Sequence, residues 1–209
     1  MKGLWTVALV IAAFGIGLSS MLLIPQLRTE PRPLPALVEV PSYPLALTVD
    51  EAYAAIPHRQ TRFNTSEAKM PAAEQEYLRI VFATLDQGVA LRVSATQAYS
   101  NGDYDRDYAN NFVVLAQFVD DLSPPSGLGK YQREIVSALE REGNYFGDWQ
   151  TQRSGFPSKG RPQLEQNKHV RAASRSLRNA YGILRSRYGS ERRHNQEAMF
   201  DYHCALDFL

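Results

Sequence analysis

From Leu4 to Ile24 the chain carries no charge, and most positions are apolar, a run of 21 residues. As a helix, that run is long enough to cross the hydrocarbon core of a bilayer. Lys2 precedes it, Trp5 sits where an interfacial aromatic belongs, and Arg28 and Arg32 follow with Glu30 between them. Gly17-Leu18-Ser19 would suit a signal-peptide cut, but Met21-Leu22-Leu23-Ile24 continues the apolar run past it. The length favours a retained anchor over residues 1–24, with the bulk of the chain on the outer, periplasmic face of an inner membrane. With so little chain ahead of the anchor, the working part is expected after it.

The pattern then changes twice. Residues 25–46 are proline-rich, with prolines at 25, 31, 33, 35, 41 and 44. Proline fixes the backbone torsion and lacks an amide donor, which predicts an extended, stiff linker. From residue 47 onward the apolar positions recur at helical spacing. Thr48 and Glu51 form a capping-box signature for a short helix through Ala55 that Pro57 ends. Pro71 suits the first turn of a long helix whose stripe is Leu78, Val81, Phe82, Leu85 and Val89, closed at Asn101-Gly102.

Three more stripes follow. Phe112, Leu115, Ala116, Val119 and Leu122 end at Pro124-Pro125, and Tyr131, Ile135, Leu139, Phe146 and Trp149 end around Gly155-Phe156-Pro157. Val170, Ala173, Leu177, Tyr181, Leu184 and Tyr188 stop at Gly189. A last helix is expected from a Ser190 cap through Met199, Tyr202, Leu206 and Leu209. No alternating strand pattern and no solenoid repeat intervene. The fold predicted for 47–209 is all-α, an antiparallel bundle of four to five helices joined by short connections.

Composition narrows the function classes. A net charge of +1 in 209 residues argues against a nucleic-acid binder. A single cysteine, Cys204, rules out an intramolecular disulfide framework and is expected to be buried. The chain contains no Gly-x-Ser-x-Gly, no His-Glu-x-x-His and no phosphate-binding glycine loop; Gly127-Leu128-Gly129-Lys130 reads as a turn. Without Cys-x-x-Cys-His, covalent haem attachment is excluded. No cofactor is expected, although the histidines leave non-covalent haem or a metal open.

Three groups of residues carry candidate chemistry. The string from Ile56 to Asn64 places His58, Arg59 and Arg62 between helices, where their donors could meet a carboxylate or other anion. The plainer expectation is a loop docked on the bundle by Phe63, with His58 bonded locally. On the last helix His194, Glu197, Asp201 and Cys204 fall 3, 4 and 3 apart on one face, with His169 on the preceding helix as a further metal-capable group. Such a stripe is more often a polar seam facing a basic helix.

That basic helix carries Lys168, Arg171, Arg175, Arg178 and Arg185 along one side. It suits an acidic protein surface or anionic headgroups, or else pairs with Asp103, Asp105, Asp107, Asp120 and Asp121. The expectation is a membrane-anchored helical accessory or assembly subunit, leaning non-enzymatic. It would bind a protein partner through His58, Arg59, Arg62, Arg171, Arg175 and Arg178. The rival is a ligand-, haem- or metal-binding bundle.

Overall fold

A computed structural model describes residues 47–157 and 161–209. The expected anchor (1–24) and linker (25–46) lie outside the described residues. Among those described, seven α-helices and two short 3-10 turns occur, with no strand. No helix among them is long and apolar enough to cross a membrane.

The helices are α1 (Val49–Ala54), α2 (Ala72–Ser100), α3 (Tyr108–Asp120), α4 (Gly129–Gln152), α5 (Arg161–Gln166), α6 (Lys168–Arg187) and α7 (Arg193–Leu206). Five of them have 13 or more residues, which are the predicted long helices. The count rises from the expected four or five to seven through two six-residue helices, α1 and α5. The capping box at α1 forms as expected, with the Thr48 amide donating to Glu51 Oε2 at 2.7 Å and the Glu51 amide donating to Thr48 Oγ1 at 3.3 Å.

Helix α2 is the hub. Its buried positions extend beyond the predicted stripe to Ile80, Thr84, Ala90, Leu91 and Ala95. A helix buried on several faces belongs at the centre of a bundle, and α2 contacts α1, α3, α4 and α7. Gly88 makes that approach possible: a Cβ there would stand 3.2 Å from Leu206 and 3.4 Å from Leu139. The other helices present narrower apolar faces. α4 packs against α3 and α6, and α6 packs against α7.

Two helix termini depend on residues that periodicity does not reveal. Asn167 caps α6, its side chain accepting from the His169 and Val170 amides at 2.9 and 3.2 Å. Gln132, on α4, closes the end of α3: its Nε2 donates to the carbonyls of Val119 (2.7 Å), Asp120 (3.2 Å) and Leu122 (2.7 Å). The final carbonyls of a helix lack intrahelical partners. Gln132→Leu would strip these of their donor, and we expect a loss of about 1–3 kcal/mol in chemical denaturation. An unchanged midpoint would show that solvent satisfies them instead.

One predicted cap does not form. Ser190 does not cap α7, which starts three residues later with no side-chain cap at Arg192. The chain there serves an incoming segment instead: the Ser190 carbonyl accepts from Lys69 Nζ at 2.8 Å.

Candidate functional site

The segment from His58 to Lys69 lies along α7 as a strap. An irregular segment must find partners for its backbone, and side chains at and before α7 supply them. The Thr61 amide donates to Asp201 Oδ2 at 3.1 Å, and the Asn64 amide to Asn195 Oδ1 at 2.9 Å. Asn195 Nδ2 returns a bond to the Asn64 carbonyl at 3.0 Å. The Lys69 amide meets both Glu191 carboxylate oxygens, at 2.8 and 3.0 Å. Half-buried Phe63 packs edge-on to Phe82, whose ring stacks on Tyr202. This is the docked loop with Phe63 as its plug.

Those bonds reassign the polar stripe of α7. It was expected to face a basic helix or hold a metal; two of its members, His194 and Asp201, bond the strap. His194 Nε2 donates to the Arg62 carbonyl at 2.7 Å, and His58 Nε2 donates to the Asp201 carbonyl at 3.0 Å. A carbonyl can only accept, so each bond requires the proton on Nε2. Glu197 pairs with Arg193 at 2.8 Å, and His169 lies 3.3 Å from Asp148 rather than near α7. Among the described residues no three His, Cys, Asp or Glu side chains converge as metal ligands. Cys204 is exposed rather than buried, its thiol pushed up by partial burial and by Asp207 and Asp201.

The arginines divide into two sets. Arg62 is committed to the bundle: its guanidinium pairs with Asp86, reaches Asp50 at 3.6 Å and lies 5.6 Å from the Tyr53 ring centre. Arg178 lies 3.7 Å from Asp207, and Arg187 grips Glu74 at 2.6 Å. By contrast, Arg171, Arg175 and Arg185 are exposed, and no ion pair joins them to any described residue. None of the five acids expected to neutralise them forms an ion pair with them among the described residues; Asp107 caps α3 and Asp103 accepts from the Asp105 amide.

A shallow groove of about 310 Å³ lies between the strap, α6 and α7. Arg59, Tyr181, Arg193 and Phe200 line it. Phe200 is 46% exposed and packs edge-on to Tyr181 at 5.4 Å. Glu197 and Asp201 also line the groove, so its charges balance, and the open aromatic beside Arg59 is what gives it the composition of an interface anchor. The sequence singles out Arg59 as a candidate, whereas Tyr181 reads there as a member of an apolar stripe and Phe200 has no place in one. Phe200 lies outside the stripe of Met199, Tyr202 and Leu206, and that offset was the available signal.

Two further groups lie in the interior. Glu142 on α4 is 1% exposed, and neither carboxylate oxygen has a hydrogen-bond partner. Burial pushes its carboxyl well above the usual range, with Arg92 pulling the other way and Asp207 adding to the rise. Arg92 on α2 donates to the Ala205 carbonyl at 2.9 Å and sits 5.1 Å from the Phe208 ring centre. His203, 3% exposed, has Nδ1 on the Met199 carbonyl and Nε2 without a partner. Burial lowers its pKa to about 4, so the ring is neutral at neutral pH. Neither group opens onto the groove's lining.

No protein family, curated protein or solved structure matches this chain.

Proposed function

We propose that this chain is a membrane-anchored, non-enzymatic accessory or assembly subunit. Its antiparallel helical bundle stands at the outer, periplasmic membrane face and holds a protein partner with an acidic surface. The observation that carries this reading is the free basic stripe of α6, Arg171, Arg175 and Arg185, together with exposed Phe200 on the neighbouring helix α7. Unpaired arginines and an open aromatic cost nothing in desolvation until a partner arrives. They can then form charge-assisted, bidentate bonds to its carboxylates. Leu4–Ile24 would place the surface at a membrane, and the proline-rich linker would set its reach. The strap residues His58 and Arg62 serve this surface indirectly, because they hold the loop that presents Arg59.

The test is co-purification of the full-length protein in mild detergent. Arg171→Glu with Arg175→Glu leaves the Arg178–Asp207 and Arg187–Glu74 contacts intact. It should reduce partner recovery by about tenfold or more without lowering the melting temperature. Phe200→Ala should weaken recovery comparably, as the loss of an anchor residue does. Undiminished recovery in both variants would sink the proposal.

A further inference from the structure

At the end of the bundle formed by the close of α2 and the close of α4, four aromatic rings meet. Tyr99 lies 5.2 Å from Tyr104 and 5.7 Å from Trp149, and Trp149 stacks on Phe156 at 5.8 Å. A cleft of about 600 Å³ opens above them. Its walls are held in place from behind: Tyr99 Oη donates to the Arg106 carbonyl at 3.1 Å, and Gln150 Nε2 donates to the Tyr104 carbonyl at 3.0 Å. Half-buried Tyr104 thus presents its ring at a fixed place in the cleft.

Arg153 enters this cleft from an unusual backbone. Its φ is 53° and ψ −128°, and it is the sole non-glycine residue with positive φ among those described. That region favours glycine because a side chain crowds the neighbouring peptide, so an arginine held there is strained. The bonds around it are the Arg153 amide to the Trp149 carbonyl and the Phe156 amide to the Arg153 carbonyl at 3.0 Å. Neither requires an arginine side chain; glycine would make both with less strain. The guanidinium lies 5.9 Å from the Tyr104 ring centre and has no carboxylate partner among the described residues. A strained position therefore carries a cation that contributes little to the fold and lines an aromatic cleft.

We propose that this cleft binds a small aromatic anion, its ring against Tyr104 and the edges of Trp149 and Phe156, its carboxylate on Arg153. The guanidinium fork matches a carboxylate bidentately, and a ring already stacked against it orients the fork. The cleft has the volume of a small-molecule site, with aromatic walls and the polar side chains of Ser100, Asn101, Ser154 and Gln163 also lining it. The site stands apart from the groove at Phe200 and does not depend on the partner-binding reading.

The experiment is titration calorimetry on the full-length protein in detergent with 2-naphthoate as probe and neutral 2-naphthamide as control. Titration of each into detergent alone is subtracted. Saturable one-site binding of naphthoate is expected, with naphthamide about tenfold or more weaker, as loss of a charged hydrogen bond implies. Arg153→Gly should abolish naphthoate binding while the melting temperature stays at or above that of the natural chain. Arg153→Gln, which keeps the strained backbone and drops the charge, should weaken binding about tenfold or more. No saturable binding up to about 1 mM, the weakest affinity worth calling a site, would overturn the proposal. Binding by Arg153→Gly and Arg153→Gln as tight as that of the natural chain, or binding of the amide as tight as that of the acid, would overturn it equally.

Discussion

Acidification from pH 6.5 to pH 4 should cost the bundle about 3 kcal/mol through His203 alone. The group is buried among Phe82, Tyr131 and Tyr181, with ring centres 6.3, 5.7 and 6.2 Å away. Its pKa falls from 6.5 to about 4 in the folded chain because burial disfavours the imidazolium, while the Met199 carbonyl partly offsets this. The unfolded chain therefore binds a proton in a window where the folded chain does not. Stability is fully present above the unfolded value of 6.5 and is lost as pH falls toward about 4. At about 1.4 kcal/mol per pH unit, that window gives the figure above. His203→Phe keeps the aromatic contacts and removes the titration. In urea unfolding at a series of pH values, its stability relative to the natural chain should rise by about 3 kcal/mol between pH 6.5 and pH 4. Parallel curves would mean that His203 is not desolvated.

Arg92→Met should destabilise the bundle by about 1–3 kcal/mol, the cost of leaving a buried carbonyl without its donor. The change removes the donor to the Ala205 carbonyl and the cation over Phe208. It also leaves the buried Glu142 carboxyl without the positive charge that moderates it. The partner substitution distinguishes the causes. Arg92→Met combined with Glu142→Leu replaces both charges by apolar volume and should recover most of the loss, giving a strong coupling in a double-mutant cycle. Additive losses would show that the two groups do not sense each other.

The pH dependence has the opposite sign to that of His203. A carboxyl raised on folding contributes fully below its unfolded value of about 4.5. The contribution is lost as pH rises toward the folded value. The groups facing Glu142 are Arg92 on α2 and Asp207 after α7, with Tyr145 on its own helix. Without Arg92 the carboxyl rises further, so the deficit of Arg92→Met should stay constant in acid and grow only once pH passes the folded value of Glu142 in the natural chain. Between 4.5 and 6.5 the interior carries two opposed proton couplings.

Both groups were visible as gaps in the apolar pattern. In α4 the stripe Tyr131, Ile135, Leu139, Phe146, Trp149 skips one turn, and Glu142 occupies that turn on the same face. In α7, His203 follows Met199 by four residues and precedes Leu206 by three, so it shares their buried side. A charged or titratable residue in register with an apolar stripe is a buried one. By contrast, Arg153 carried no signal, because its positive φ arises where α4 runs out against Tyr104 and Phe156. The strap was legible as a polar string between helices, but its docking surface was not.

The sequence alone determined the elements: five long helices follow from the 3.6-residue spacing of apolar side chains, a property local to each segment. It also marked α1 by its capping box and predicted a membrane-length run ahead of the bundle. Tertiary structure decided which polar residues face which. His194 and Asp201 read as one stripe with Glu197 and Cys204, and only the arrival of a strap from more than 130 positions away made these two the partners of backbone groups. Arg171 and Arg178 look alike on one helix, yet Asp207 reaches only the second. Helical period is encoded within a few residues. Charge pairing and exposure depend on chain distant in sequence, so packing alone separates a free arginine from a committed one.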